Sequence, residues 1–132
     1  QKKPNDAELF YNLGVVSTKT KKYADAERYY NRAIELKPDY ADAYLNLAVI
    51  KLDDDQRIID EMNNLGTSAA DNKKYDALKK EREKVLAGAI PFLEKAVQYG
   101  ADIEVKRTLM NIYNTLDMSD KYKALKSELD KN

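Results

Sequence analysis

A pattern of small and large residues occurs twice in this chain, and it restricts the fold more than any other feature. The stretches ADAERYYNRAIELKP at 24–38 and AIPFLEKAV at 89–97 each place an alanine, then a large residue four positions on, then an alanine three positions later. Residues so spaced share one face of an α-helix, and a small–large–small face lets a second helix pack closely. The pattern therefore predicts closely packed helix pairs. The residues are Ala26, Tyr30 and Ala33, and then Ala89, Leu93 and Ala96.

The composition of the chain, and the positions of its glycine and proline residues, predict helices throughout. Glycine (four) and proline (three) are scarce, while Ala, Leu, Lys, Glu and Asp are abundant, which favours helix. Apolar residues recur with a spacing of three and four, and Pro38, Gly66 and Gly100 mark segment ends. We predict six helices, over about 6–18, 22–36, 39–65, 72–99, 102–116 and 118–131.

The absence of cysteine and histidine excludes several kinds of site. Such a chain forms no disulfide, Cys/His zinc site, thiol nucleophile or Ser-His-Asp triad, so we do not predict an enzyme.

Acidic and basic residues balance at 23 each, which gives no electrostatic reason to expect nucleic acid or an anionic membrane as partner. No apolar run reaches the ~18 residues of a membrane span. A start at Gln1 is expected of a cleaved or truncated product.

Residues 7–40 closely resemble a tetratricopeptide repeat (TPR), a helix–turn–helix unit of 34 residues. Eight residues fall at the family's characteristic positions: Phe10, Leu13, Gly14, Tyr23, Ala26, Tyr30, Ala33 and Pro38. Ser17 departs from the family, which often has tyrosine there. Gly14 and Ala26 are small enough for the two helices to approach closely, and Ala33 leaves room for the next repeat. The resemblance implies an all-α, right-handed solenoid of helical hairpins.

A second repeat begins 34 residues after the first, and its pattern is then interrupted by additional residues. Tyr44, Leu47 and Ala48 each follow their counterparts by 34 residues, whereas the second-helix pattern returns after 63, which is 29 residues late. About 29 inserted residues are therefore predicted to form a long antiparallel helical hairpin with arms at 39–65 and 72–99. Pro91, inside the second arm, is expected to kink it near Gly88.

The domain organisation follows from this insertion. The segment LMNIY at 109–113 resembles the first helix of a third, weaker repeat, and the lysine-rich end resembles a capping helix. We assign a single domain over 1–132, with repeat one at 7–40, repeat two at 41–102 and a degenerate, capping repeat three at 103–132.

Opposite charges are expected to face each other along the hairpin. If it folds about residue 69, the aspartates at 53–55 lie opposite 83–85. These aspartates could instead hold a cation, and the lysines between Lys73 and Lys84 could bind phosphate or nucleic acid. We prefer an ion-paired, solvated face, because successive helical residues point about 100° apart and acids are interleaved with the lysines.

The concave groove of the solenoid is the predicted binding site. In the family that the chain resembles, Tyr11 occupies a position that faces this groove. Asn12 and Asn46 are equivalent, and could hydrogen-bond an extended peptide or tie neighbouring helices together. Chaperone-binding members hold a terminal carboxylate with lysine and asparagine where this chain has Tyr11 and Val15, so this clamp is absent. The candidate groove residues are Glu8, Tyr11, Asn12, Val15, Lys19, Asp42, Leu45, Asn46 and Val49.

We predict a non-enzymatic module that binds a protein or an extended peptide through this groove, without cofactor or metal. The hairpin tip, at 62–75, is a second candidate surface. Two alternatives stay open: a C-terminal cap of a larger solenoid, and self-association into homo-oligomers through the hairpin. The elongated repeat and the ending DKYKALKSEL resemble the C-terminal part of exported bacterial TPR proteins, which by analogy favours the periplasm over the cytoplasm.

Overall fold

The structure, a computed structural model, describes residues 3–131. Within this range the chain forms seven α-helices and no strand, so the predicted all-α class is confirmed. None of these helices combines the length and the apolar character that crossing a membrane requires. The helices are α1 (Lys3–Lys19), α2 (Tyr23–Leu36), α3 (Ala41–Lys51), α4 (Asp55–Asn63), α5 (Ala69–Gln98), α6 (Ile103–Thr115) and α7 (Ser119–Asp130).

The helices pack as successive hairpins. α1 pairs with α2, and the second hairpin is formed by α3 and α5, which α4 extends along the distal part of α5. α6 pairs with α7, while α2 contacts α3 and α5 contacts α6, so that each hairpin stacks on the next. This is the helical-hairpin architecture that the sequence predicts.

The hairpin that the sequence predicts to be an insertion, here called the inserted hairpin, has two helices in its first arm, so the expectation of one helix over 39–65 is wrong. A turn at 52–54 separates α3 from α4. Here the amide N–H of Asp53 donates to the carbonyl oxygen of Ile50, three residues earlier rather than four. Consecutive aspartates at 53–55 are poor helix formers and repel one another, which favours this tighter turn over a continuous α-helix.

The second arm, α5, is one helix of 30 residues, or about 45 Å at 1.5 Å per residue. It continues through Pro91, which lacks the N–H that would bond to the carbonyl oxygen of Ala87. Both residues are exposed, so water can satisfy this carbonyl group. At the start of α5, the side chain of Ser68 accepts the backbone N–H of Asp71 over 3.0 Å.

Both alanine–large–alanine patterns lie in hydrophobic cores, with all six residues at most 1% exposed. The N-terminal core joins α2 to α3 and contains Ala26, Tyr30, Ala33, Ala43, Leu47 and Ile50. The C-terminal core joins α3, α5, α6 and α7 and contains Ala48, Leu86, Ala89, Ile90, Leu93, Ala96, Val105, Leu109, Ile112, Tyr113 and Leu125. Because each pattern packs against the first helix of the next hairpin, neighbouring hairpins share their cores and stack on one another.

Opposite charges face each other near the base of the inserted hairpin. Nε of Arg82 donates to Oδ1 of Asp55 over 2.7 Å, and Arg57 donates to Oε2 of Glu81 over 2.6 Å. In each ion pair the midpoint between the two residue numbers lies within one residue of 69, where the turn is predicted. Such partly exposed pairs contribute little stability by themselves, and their main effect is to fix the register of the two arms.

Tyr113 ties α6 to α5. Its hydroxyl donates to Oε2 of Glu94 over 2.5 Å, and Nζ of Lys121 in α7 donates to the same oxygen over 3.2 Å. Burial, followed by the hydrogen bond to this carboxylate, raises the pKa of Tyr113 above its ordinary value of 10.0. The folded state therefore favours the protonated hydroxyl.

We expect stability to fall above about pH 10, and Tyr113→Phe to reduce that fall. Because the folded-state pKa is the higher one, the contribution of this hydroxyl is fully present below the unfolded pKa and is lost as the pH rises beyond it. Urea denaturation at about pH 8 and about pH 11 measures the effect. Tyr75→Phe, at an exposed tyrosine, is the control. Equal losses in the wild type and Tyr113→Phe would contradict this assignment.

Candidate partner-binding groove

Tyr11 and Asn46, two of the predicted groove residues, meet between α1 and α3. Nδ2 of Asn46 donates to Oη of Tyr11 over 3.1 Å and to Oη of Tyr30 over 3.2 Å. The ring of Tyr11 stacks on that of Tyr40 with centroids 5.1 Å apart, and its centroid is 5.7 Å from that of Tyr30. This cluster ties α1, α2 and α3 together, which is one of the two roles that the sequence left open for Asn46.

The surroundings of this cluster are acidic. Burial raises the pKa of Tyr11, the hydrogen bond from Asn46 partly offsets this, and the charge of Asp42 adds to it. Burial also raises the pKa of Tyr40, and the carboxylates of Glu8 and Asp42 contribute. Glu8 and Asp42 are themselves exposed. This end of the predicted groove therefore combines packed tyrosines with solvated carboxylates.

The other predicted residues of α1 are divided between core and solvent. Val15 is half-buried and packs against the N-terminal core. Asn12 and Lys19 are exposed. Although Asn12 is equivalent to Asn46 in the repeat, the two amides thus have different surroundings. On this face α1 presents polar side chains and a tyrosine that is already engaged in packing.

Leu45 and Val49 line an open trough between α3 and α6, here called the α3–α6 trough. Its volume is about 320 Å³. Leu93 and Val105 belong to the C-terminal core below it, whereas Val49 is 52% exposed. The trough is therefore a largely apolar surface open to solvent. Its lining residues are Leu45, Ala48, Val49, Leu52, Leu93, Asp102, Glu104, Val105 and Thr108.

The α3–α6 trough continues toward the inserted hairpin. Leu52 and Thr108 also line a second trough of about 320 Å³, between the base of the hairpin and α6. This second trough shares lining residues with a smaller space of about 100 Å³ that reaches Met62 and Tyr75 near the hairpin tip. The groove and the tip, which the sequence presents as separate surfaces, are therefore joined by a row of adjoining spaces with shared lining residues.

Sequence reasoning missed the contribution of α6 to this surface. Glu104, Thr108, Asn111 and Thr115 line the two larger troughs. Their spacing of four, three and four residues places them on one face of the helix. The signal was present as a polar stripe beside the buried apolar one, but repeat three resembles the family only weakly.

The mouth of the α3–α6 trough is acidic. Oδ1 of Asp102 accepts the backbone N–H of Glu104 over 3.1 Å, which caps the start of α6 and holds the side chain of Asp102 at this edge. Glu104 also forms an exposed ion pair with Arg107 over 2.7 Å. Carboxylates beside an apolar trough favour a partner that carries basic groups next to apolar ones.

The three aspartates at 53–55 each have a different partner. Their donors are, in order, Tyr23, Arg57 and Arg82. Hydrogen bonds from Arg57 lower the pKa of Asp54. Nowhere in residues 3–131 do three or more acidic side chains converge as ligands for a metal ion. These contacts agree with the ion-paired interpretation of the run.

The molecule is a stack of helical hairpins, and an open trough runs between the first helices of two neighbouring hairpins, α3 and α6. This arrangement is typical of helical-repeat proteins, which present an extended surface to their partners. Residues 7–40 match the family model of the tetratricopeptide repeat, over the span assigned from the sequence. Residues 7–40 are therefore similar to a tetratricopeptide repeat, and they form the first hairpin of the stack. A comparison with curated proteins gave no significant match. Proteins of this family generally mediate protein–protein interactions, bind proteins or peptides, and act as non-enzymatic modules.

Proposed function

We propose that the protein binds an extended segment of a partner protein along the α3–α6 trough and its continuation toward the inserted hairpin. The observation that carries this proposal is the open apolar surface around Val49, which is half-exposed although it is apolar. Leu45 and Leu52 adjoin it in the same trough. Contiguous exposed apolar surface with polar edges is typical of protein-binding sites.

The dimensions and charges of the surface specify the segment. α6 has 13 residues, or about 20 Å at 1.5 Å per residue, which matches about six residues of an extended peptide. The segment would place an apolar side chain between Leu45 and Val105 and a basic side chain near Asp102 and Glu104. A terminal carboxylate is not part of this recognition, because the chaperone-type clamp is absent.

The α1 end of the groove has a supporting role in this proposal. The ring of Tyr11 and the amide of Asn46 hold α1 against α3, so they position the wall of the groove. Substituting Tyr11 would disturb packing and binding together. Val49 is the better position for a test, because its exposed side chain can be replaced without opening a core.

We expect Val49→Lys to weaken peptide binding at least about tenfold, because a desolvated apolar contact is replaced by a charge. A phage-displayed random peptide library selected against the intact protein supplies the ligands. Their dissociation constants are then measured by fluorescence anisotropy with synthetic peptides. Selected sequences should combine an apolar side chain with neighbouring lysine or arginine.

Val16→Lys is the matched control for this experiment. Val16 also lies on the first helix of a repeat and is similarly exposed, at 58%, but it lies outside the troughs described above. We expect Val16→Lys to bind the selected peptides as the wild type does. If Tyr75→Lys loses them and Val49→Lys keeps them, the hairpin tip is the site. If no selected peptide depends on either position, the proposal is wrong.

A further inference from the structure

A second exposed apolar surface lies on α1, away from the troughs. Leu9, Leu13 and Val16 are 55%, 37% and 58% exposed. They are spaced four and three residues apart, so they form one stripe along the helix. An exposed leucine alone needs no explanation, but three aligned apolar residues form a continuous face that is suited to contact with another helix. We call this the α1 stripe.

The later repeats bury the equivalent stripe. Thirty-four residues after the α1 stripe come Ala43, Leu47 and Ile50, and α6 has Val105, Leu109 and Ile112 with the same spacing. All six are at most 8% exposed, and a leucine stands at the centre of every stripe. The three first helices thus carry the same kind of face, which is covered in α3 and α6 and exposed in α1.

The covering element is also the same in both cases. The stripe of α3 shares a core with Ala26, Tyr30 and Ala33 of α2. The stripe of α6 shares a core with Ala89, Leu93 and Ala96 of α5. Each covering helix is therefore the second helix of the preceding hairpin, and each carries the alanine–large–alanine pattern. The residues of the stripe and those of the alanine–large–alanine pattern are both four and then three positions apart. The two rows of side chains can therefore pack against each other where the two helices meet.

We propose that the α1 stripe is a stacking surface for the second helix of a further tetratricopeptide hairpin in the same solenoid. Its occupant would carry the pattern Ala-x-x-x-Tyr/Leu-x-x-Ala. The alanines would let the helix approach the stripe, and the large central residue would pack beside Leu13. This inference does not depend on the peptide-binding function proposed above.

A second copy of this chain is a poorer occupant. The two helices that carry the complementary pattern are already covered, since their pattern residues are at most 1% exposed. The other end of the stack offers no matching face either. The exposed residues of α7 are polar apart from one alanine: Ser119, Asp120, Lys121, Lys123, Ala124, Lys126, Ser127, Glu128 and Asp130. A repeating head-to-tail contact between copies is therefore disfavoured.

Thiol labelling tests the proposal, because the chain has no cysteine of its own. A tandem protein carries a second copy of residues 7–40 directly before Ala7, which preserves the 34-residue period. Val16→Cys, made only in the original α1, supplies a single thiol. We expect maleimide to label this thiol at least about tenfold more slowly in the tandem protein than in the protein without the added hairpin.

Two controls make the result specific. Val49→Cys reports on the α3–α6 trough and should label at the same rate in both proteins. Introducing Ala33→Glu only in the added hairpin places a charge on its alanine–large–alanine face, and should restore fast labelling of Val16→Cys. Circular dichroism reports whether the added hairpin is helical.

Three results would overturn the proposal. They are unchanged labelling of Val16→Cys in the tandem protein, an added hairpin that does not fold, and slow labelling that persists with Ala33→Glu. Sedimentation of the single protein tests the alternative occupant. If it forms a dimer that Val16→Lys dissociates, a second copy covers the α1 stripe and the proposal is wrong.

Discussion

Replacing Gly14 by alanine is expected to destabilise the protein, whereas the same change at Gly88 is expected to stabilise it. Both glycines lie inside helices, so alanine gains about 1 kcal/mol of helix propensity at either position. The difference lies in the space around them. A Cβ on Gly14 would lie 2.5 Å from Cε1 of Tyr30, whereas a Cβ on Gly88 would meet no atom within 4 Å.

Tyr30 cannot move aside easily to admit the new methyl group. Its side chain is 1% exposed within the N-terminal core. Its hydroxyl lies 3.2 Å from Nδ2 of Asn46 and 3.3 Å from Oγ1 of Thr18, at hydrogen-bond distance from both. Relieving the contact would therefore strain the core or break these bonds. Overpacking of this kind costs about 1–3 kcal/mol, which exceeds the gain in helix propensity.

Urea denaturation of Gly14→Ala, Gly14→Leu and Gly88→Ala measures these effects. We expect Gly14→Leu to lose the most, about 3 kcal/mol or more, because the branched side chain has no space between α1 and α2. Ala26→Leu, at a fully buried alanine on the facing helix, should change stability in the same direction. If Gly14→Ala and Gly88→Ala stabilise equally, the close approach of α1 to α2 at Gly14 is wrong.

Leu93→Ala is expected to produce the second large loss, about 2–5 kcal/mol. Leu93 is the large residue of the second alanine–large–alanine pattern and is 1% exposed. It lies in the C-terminal core, which joins α5 to α3 and α6. Truncation leaves a cavity where the second and third hairpins meet, and the flanking alanines are too small to fill it.

Leu78→Ala is the matched control for this change. Leu78 lies on the same helix, α5, but in the distal hairpin, where it is only partly buried and lines an open surface beside Leu65. Solvent already reaches this position, so the same substitution should cost less than about half as much. Comparable losses at Leu78 and Leu93 would contradict the assignment of 89–97 as the packed second helix of repeat two.

The two candidate binding surfaces predicted from the sequence lie next to each other in the structure. From the sequence, the concave groove and the hairpin tip compete as alternative surfaces. In the structure, α6 forms one side of a path that runs from Val49 toward Tyr75. Binding measurements on variants at these two positions therefore test whether the proposed partner binds at one end of this path or the other. The inserted hairpin can extend the groove, rather than provide a site separate from it.

The repeat at 7–40 and the register of the hairpin could be predicted from the sequence, and the family match and the ion pairs between the arms confirm them. The insertion within a second repeat stays a prediction. These features depend on residue size and spacing, which are local properties of the chain. Gly14, Ala26 and Ala33 are small at positions where helices must approach closely, and this could be recognised from the sequence alone. The late return of the alanine–large–alanine pattern predicts the insertion, and the ion pairs between the arms agree with a hairpin that folds about residue 69.

The contacts that the groove residues make could not be predicted from the sequence. The engagement of Asn46 with Tyr11, and the wall that α6 adds to the groove, depend on how the hairpins stack. The α1 stripe shows this dependence directly. It has the same apolar spacing as the buried stripes of α3 and α6, yet it is exposed, because burial depends on the neighbouring helix as well as on the pattern.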